Sequence, residues 1–375
     1  MSKFTYFVAM YISSKTKYNI KRILPFGVIW LLLGWLLMWS EYAAIGGSTN
    51  TPDSAISLTP TIVLFSSVSV FFVGCFIGLL EVFYVNKLFS KKSFPIKILG
   101  KLIFYGVIMF IIIFFLFMIA ASIELRTSIF SKVTWNKYML FFFSITHIST
   151  WIQLFFSLLL SLLFTEISDN IGQNVLINFF TGKYHRPVSE NRIFMFVDMK
   201  DSTAIAESLE NEQYFRLLRT FYDSFSDAII NNQGEIYQYV GDEIVITWKL
   251  KNGLYKNQCL NCFYDMRTSL KKRDSYFEQN FKITPAFKAS LHCGEVTTGE
   301  IGALKKDIFF TGDVLNTTAR ILSLCSAYKK DLLISKTLIS QLNTKNLFDV
   351  TSLGMVNLKG KKQDVEIVSA EKNNR

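Results

Sequence analysis

The sequence predicts a four-helix membrane bundle followed by an α/β domain, and three observations carry that prediction. Four long apolar runs fill the first half, basic residues cluster in alternate connections between them, and after Pro187 short strands alternate with amphipathic helices. Half of the 375 residues are hydrophobic, more than an ordinary soluble chain carries, and they are unevenly spread.

The apolar runs are Ile23 to Ser40, Thr61 to Val85, Leu102 to Ile123 and Tyr138 to Phe164. Each approaches or exceeds the roughly 20 residues that cross a bilayer core and is almost free of charge, so each is expected to be a transmembrane helix. Lys3, Lys15, Lys17, Lys21 and Arg22 precede the first, and Lys87, Lys91, Lys92, Lys97 and Lys101 fill the second connection. The first connection holds Glu41 and Asp53 with no Lys or Arg. The positive-inside rule then places the N-terminus and everything after Phe164 in the cytoplasm, giving a multi-pass protein of the inner membrane with the lipid bilayer as a partner. The long basic segment before the first run, with further spans after it, argues against a cleaved signal peptide. These loops explain much of the formal charge of +11, so no nucleic-acid partner is expected.

Within the runs, Glu81, His147 and Gln153 are the polar residues that a membrane makes expensive. Glu81 lies near a cytoplasmic helix end, where it can snorkel, and a single His without a second ligand reads as a packed polar contact. The five cysteines give no disulfide framework: Cys75 is in a membrane run, and Cys259 and Cys262 have CxxC spacing but no second pair to complete a zinc site. What ligand the membrane domain binds, if any, is not readable from these residues.

The chain divides into a cytoplasmic segment (1–22), the membrane domain (23–164), a linker (165–189), a C-terminal domain (190–370) and a tail (371–375). In the linker, Ile167, Ile171, Val175 (or Asn174) and Phe179 recur at three to four residues, which suits a short amphipathic helix able to pair with its copy in a dimer, ended by Gly182 and Pro187. Beyond it, Arg192 to Val197 reads as a buried strand, Thr203 to Asn231 as one long helix, and Glu235 to Val240 with Ile244 to Trp248 as a hairpin. Leu254 to Phe277 is helical, strands follow at Phe287 to Cys293, Thr297 to Ile301 and Ile308 to Phe310, and Asp313 to Leu324 is a further helix before short closing strands. This is an α/β or α+β domain of about 190 residues.

Its chemistry is suggested by carboxylates at strand ends. Asp198 ends the first strand and Asp242 sits at the hairpin tip; if those strands are neighbours, both emerge at one edge and offer hard oxygen ligands suited to Mg²⁺ or Mn²⁺. Met199, Lys200, Asp201, Ser202 and Thr203 form a turn into a helix whose backbone N–H groups would cradle a polyphosphate. Asn316 and Arg320 are four apart on one helical face, an amide and a guanidinium fit for a ribose and a phosphate gaining charge.

In order, the stretches FMFVDMKDST, GEIYQYVGDEIVITW, LHCGEVTTGEIG, KKDIFFTGDVLNTTAR and LKGK resemble the class III adenylyl/guanylyl cyclase catalytic domain over roughly Glu190 to Ala370, in a membrane-anchored bacterial form. The resemblance implies a ferredoxin-like α/β domain working as a head-to-tail homodimer. Asp198 and Asp242 of one copy would hold two metal ions, Mg²⁺ or Mn²⁺, while Asn316 of the other would orient the ribose and its Arg320 would stabilise the transition state. Lys359 or Lys361 would reach the terminal phosphates. The reaction implied is attack of the ribose 3′-oxygen on the α-phosphorus of ATP, giving cyclic AMP and pyrophosphate.

The purine-reading positions depart from the family. Adenylyl cyclases usually carry Lys four residues before the second metal Asp and Asp or Thr three before the third motif's Gly; guanylyl cyclases carry Glu and Cys. Here these positions hold Gln238 and Phe309, and Asp307 lies an even offset from Phe309 on the same strand face. ATP is favoured because the Glu expected for guanine is absent. GTP, giving cyclic GMP, and a catalytically silent nucleotide-binding regulator are the alternatives. A diguanylate cyclase would need a second Gly before Asp242, where Val240 stands, and a transporter would need inverted repeats that the four runs lack.

Overall fold

The computed structural model describes residues 13–45, 53–90, 92–304, 306–358, 361 and 364–373, without the side chains of 45, 173 and 174. Lys3, Lys91, Lys359 and the side chain of Asn174 lie outside the described residues. Two compact units are present, one of residues 17–177 and one of residues 178–375 with the described residues before Lys17.

In the helical unit, α1 (Ser14–Ile45), α2 (Pro60–Leu80), α3 (Phe94–Leu125), α4 (Lys132–Phe142) and α5 (Ile145–Ile171) follow one another. α2 runs on through one turn of π-helix, Glu81–Val85, into Asn86–Leu88. Four of these helices are long and apolar enough to cross a membrane. The fourth apolar run is not one helix as expected: it begins in α4 and breaks at Ser144, whose hydroxyl accepts from the His147 N–H and starts α5. A side chain competing for backbone donors is a stronger signal than continued hydropathy. The linker differs too. Ile167 and Ile171 belong to the end of α5, Gly172 turns the chain at φ +97°, and α6 (Gln173–Thr181) follows until Gly182 at φ +63°.

Phe26 and Trp30 of α1 pack on Ile77, Tyr105, Met109, Leu158 and Leu162. α1 and α2 approach closely because α2 presents glycines: a Cβ on Gly74 would sit 2.8 Å from the Phe26 carbonyl oxygen, and one on Gly78 would sit 2.9 Å from the Phe26 ring. Glu81 does not snorkel. It is fully buried in the π turn, ion-paired at 2.5 Å with the equally buried Lys101, and its other oxygen accepts from Tyr105 Oη at 2.8 Å. Lys101 also donates to Glu166 at 2.9 Å and to Asn86 at 3.2 Å, and Lys97 donates to the second Glu166 oxygen at 2.8 Å. Arg22 clasps Asp169 with distances of 2.6 and 2.7 Å, so charges from all four long helices are paired at this end. His147 is a packed polar contact. Its Nδ1 lies 2.9 Å from the Phe142 carbonyl oxygen, and Nε2 accepts from Trp151 Nε1 at 3.0 Å.

The second unit is built on a sheet. β1 (Val188–Met199) is followed by α7 (Ser202–Ser208), α8 (Asn211–Asn231), β2 (Glu235–Val240) and β3 (Glu243–Lys249). α9 (Leu250–Leu254), α10 (Gln258–Lys271) and α11 (Asp274–Phe281) lead to β4 (Phe287–Ile301), β5 (Asp307–Thr311) and α12 (Asp313–Ser323). β6 (Leu332–Ser335), α13 (Lys336–Ile339), β7 (Phe348–Val356) and β8 (Val365–Lys372) close the chain. The strand order is β2-β3-β1-β4-β6-β8-β7, with β5 paired to β4 and β4 parallel to β6. The βαββαβ core with order β2-β3-β1-β4 is the expected ferredoxin-like arrangement.

Three expected elements are divided differently. Thr203 to Asn231 breaks at Leu209 and Glu210 into α7 and α8; Leu254 to Phe277 breaks into α10 and α11; and the two strands expected between Phe287 and Ile301 are one strand of 15 residues. β4 stays continuous past Gly294 because β1 pairs along its whole inner edge, from Phe287 to Thr298. Alternation in β1 sorts the two layers. Ile193, Met195, Val197 and Met199 face a core with Phe221, Phe225, Cys259 and Phe263 of α8 and α10, while Phe194 and Phe196 face Val314 and Ile321 of α12. Cys259 and Cys262 are buried and free, as packing residues.

Candidate active site

Asp198 is the next residue after Phe196 on the α12 side of β1, so the pleat directs its carboxylate out of that layer at the strand's end. Register places it opposite Glu243 of β3 on one side and Lys288 of β4 on the other. Gly241, at φ +61°, turns the β2–β3 hairpin, and Asp242 at the tip lies beside Asp198. The structure therefore brings together the two carboxyls that the sequence only placed at one sheet edge. Tyr222 of α8 braces the tip by donating to the Gly241 carbonyl oxygen at 2.9 Å.

Electrostatics at this edge are unbalanced. Burial and the Asp242 carboxyl raise the affinity of Asp198 for a proton, against the pull of Lys288, whose ammonium is 3.1 Å from Asp198 Oδ2. Burial, then Asp198 and Asp242, push Glu243 up to about 7. Carboxylates held this way are short of positive charge, and their hard oxygens fit a divalent cation. Among the described residues no cluster of three or more Asp, Glu, His or Cys side chains forms a closed cage. Two carboxylates with the remaining positions left to water and a phosphate ligand is the arrangement Mg²⁺ commonly takes.

The neighbouring turn is shorter than expected. Met199 is a strand residue, paired to Phe287, with its side chain in the core. Lys200 donates its backbone N–H to Ala286 and its ammonium to Asp331. Asp201 adopts φ +55° at the start of α7, leaving Ser202 and Thr203 as its first residues.

α12 carries Asn316 exposed and Arg320 half-buried, while Val314, Thr317, Thr318 and Ile321 face the sheet. Gly294 lets α12 lie close: a Cβ there would meet Val314 at 2.6 Å. Among the described residues of one chain, no hydrogen bond or ion pair links Asn316 or Arg320 to the two aspartates. Lys361 is ion-paired with Asp313 at 2.7 Å, and this contact holds Asp313 below the usual carboxylate range. Beneath it His292 donates to or accepts from Ser335 at 2.7 Å; burial, then the Lys361 charge, hold its imidazole down to about 4.

At the purine positions, a bulge between Ile236 and Gln238 puts Gln238 opposite Val245, on the face of Asp198, exposed. Phe309 lies on the face of β5 away from Phe310, whose ring packs on Tyr237 at 4.9 Å and Phe194 at 5.5 Å. No described contact joins Gln238 to Phe309. Sequence reasoning missed Lys288, Glu243 and Tyr222. Glu243 was visible beside Asp242, but Lys288 and Tyr222 carry no local signal, because only strand pairing and helix packing bring them to the site.

Residues 185–369 match the family model described as the adenylate and guanylate cyclase catalytic domain. Adenylate cyclase 2 of Rhizobium meliloti (strain 1021) is 30% identical over 204 residues, covering 54% of this chain and 56% of that relative. Adenylate cyclase 1 of the same organism is 25% identical over 179 residues, covering 46% of this chain and 26% of that relative. The chain thus spans little more than half of the first relative and about a quarter of the second. A bacterial light-regulated adenylyl cyclase of known structure superposes with a TM-score of 0.51 at 16% identity, over 62% of this chain and 66% of that one, a likeness of fold.

Proposed function

We propose that the second unit of this chain, which matches the adenylate and guanylate cyclase catalytic domain model, is a catalytic domain of that family, and that the chain is a membrane-bound adenylate cyclase converting ATP to 3′,5′-cyclic AMP and pyrophosphate. The observation that carries this reading is the placement of Asp198 and Asp242 at one sheet edge by the β1–β3 register and the Gly241 turn. We take residues 190–370 as the catalytic domain, 165–189 as the transducer, and the four long helices as spans of the inner membrane, with both the N-terminus and the catalytic domain in the cytoplasm.

In this reading Asp198 and Asp242 hold two Mg²⁺ or Mn²⁺ ions. When bound, these supply acidification of the ribose 3′-hydroxyl and neutralisation of the leaving pyrophosphate. Lys200 to Thr203 offer the turn that receives phosphates. Asn316 of a second copy orients the ribose, and its Arg320 neutralises charge on the α-phosphate. The bond from the 3′-oxygen to the α-phosphorus forms as the bond to pyrophosphate breaks, and the hydroxyl proton passes to solvent. For Lys361 to reach a terminal phosphate it must leave Asp313; Lys359 is the other cationic candidate. Gln238, whose amide both donates and accepts, reads the purine with Phe309 beside it.

Turnover of ATP and of GTP by the full-length protein with Mg²⁺ or Mn²⁺ tests this, with Asp242→Ala as control. Cyclic AMP lost in the variant supports the reading; cyclic GMP as the main product replaces the substrate; and no product from either replaces catalysis by a silent regulatory role. Mixing Asp198→Ala with Arg320→Ala chains is expected to recover activity above either parent, and failure to do so refutes a site shared between copies.

A further inference from the structure

The helical unit holds a half-open cavity of about 350 Å³ between α1, α2, α3 and α5, toward the end opposite the Glu81–Lys101–Glu166 cluster. Its size falls in the range of about 300–1,000 Å³ typical of small-molecule sites. Its walls are mainly hydrocarbon and aromatic, with Trp30, Met109, Ile113, Phe117, Phe141 and Leu154 among them.

The polar side chains in the wall fall into two groups. The hydroxyls of Ser66, Thr150 and Ser157 each donate to a carbonyl one turn earlier on their own helix and are already satisfied. Tyr42, Ser69 and Gln153 line the same space, and none of the three side chains has a hydrogen-bond partner among the described residues. An amide with its N–H and C=O groups unmatched in apolar surroundings is costly, and it is aimed where a guest would lie. Charge narrows the guest further. The lining residues include no Lys, Arg or His, and their one carboxylate, Glu41, belongs to an exposed residue and accepts from Ser149.

We propose that this cavity binds a neutral amphiphile, a molecule with a hydrocarbon body against Trp30, Phe117 and Phe141 and one uncharged head that both donates and accepts hydrogen bonds at Gln153, with Ser69 as the second polar contact. An anionic head would find no counter-charge in the wall. The proposal concerns the helical unit alone and does not depend on the nucleotide chemistry.

The test uses the full-length protein in lipid nanodiscs and the fluorescence of the wall tryptophans, Trp30 and Trp35. The probe is 10-bromodecan-1-ol, whose bromine quenches at short range. Saturable quenching that excess decan-1-ol displaces is expected, with 10-bromodecanoate at least roughly tenfold weaker and Gln153→Leu weakening the alcohol roughly fivefold, the value of one neutral hydrogen bond. Gln153→Asn, which withdraws the amide by one methylene, replaces Gln153→Leu if that variant does not fold, with the same expectation. Quenching that rises linearly and is not displaced is partition into lipid and overturns the site. Equal binding of the carboxylate overturns the neutral head, and an unchanged affinity in the Gln153 variant overturns the anchor. Quenching by dibrominated phosphatidylcholine discs that decan-1-ol does not relieve assigns the cavity to a bilayer chain and overturns a diffusible guest.

Discussion

Two groups of buried or half-buried carboxylates sit in this chain and are treated in opposite ways. At the end of the helical unit, Glu81 and Glu166 are matched by Lys101 and Lys97, with Asn86 and Tyr105 taking the remaining polar contacts. At the sheet edge, burial and neighbouring carboxyls make Asp198 and Glu243 hold their protons more tightly, and Asp242 stands beside them with a single ammonium, that of Lys288, paired to Asp198. The first group is complete as folded. The second is complete only with added positive charge, which separates a structural ion cluster from a candidate metal site better than residue type does.

Removing a partner should expose the difference most strongly in the helical unit. Lys101→Met strands Glu81 away from water, leaving Glu166 with Lys97 alone, and is expected to cost about 3–5 kcal/mol, read as a loss of folded protein in detergent. Adding Glu81→Gln and Glu166→Gln should recover most of it. If the single variant melts like the parent, the cluster is not the closed unit described here.

At the sheet edge the same operation should run the other way. Asp242→Asn removes like charge and is expected to raise stability by about 1 kcal/mol while lowering cyclase turnover on the order of a thousandfold. Thermal melting beside a turnover assay measures both. Lower stability together with lost turnover would make the pair structural and erase the contrast.

His292 shows a third treatment, burial in the neutral form. Its folded-state pKa of about 4 lies below the ordinary value of 6.5, so the unfolded chain binds more protons between those pH values. Stability should therefore fall by about 3 kcal/mol as pH drops from 6.5 through 4, levelling off below that. His292→Gln should flatten this segment of a pH-dependent melting curve; an unaltered slope would assign it to other groups. The smallest effect is expected at the purine position. Gln238→Lys should shift the ratio of ATP to GTP turnover a few-fold toward ATP, at the scale of one altered hydrogen bond. A ratio that does not move would remove Gln238 from base reading.

Much of the site was legible because its residues are local: Gly241 and Asp242 define a hairpin tip, Asp198 ends an apolar run, and Asn316 and Arg320 keep helical spacing. Break points were less legible. Ser144 and Gly172 divide helices inside continuous apolar or periodic patterns, since one capping hydroxyl or one positive φ outweighs the average over a window. Met199 was misplaced for a related reason, because β1 runs on for as long as β4 offers partners.

By itself, the sequence determined the four long apolar helices, the change to an α/β pattern, and which side chains have the chemistry for metal and phosphate. Those follow from hydropathy, periodicity and residue type, which act within a few residues of chain. Only the tertiary structure decided that Glu81 is paired rather than exposed, that Lys288 stands beside Asp198, that Lys361 is engaged by Asp313, and that Gln153 faces an unfilled space. Each depends on a partner that no local pattern specifies, brought near by packing and strand register across tens to hundreds of residues.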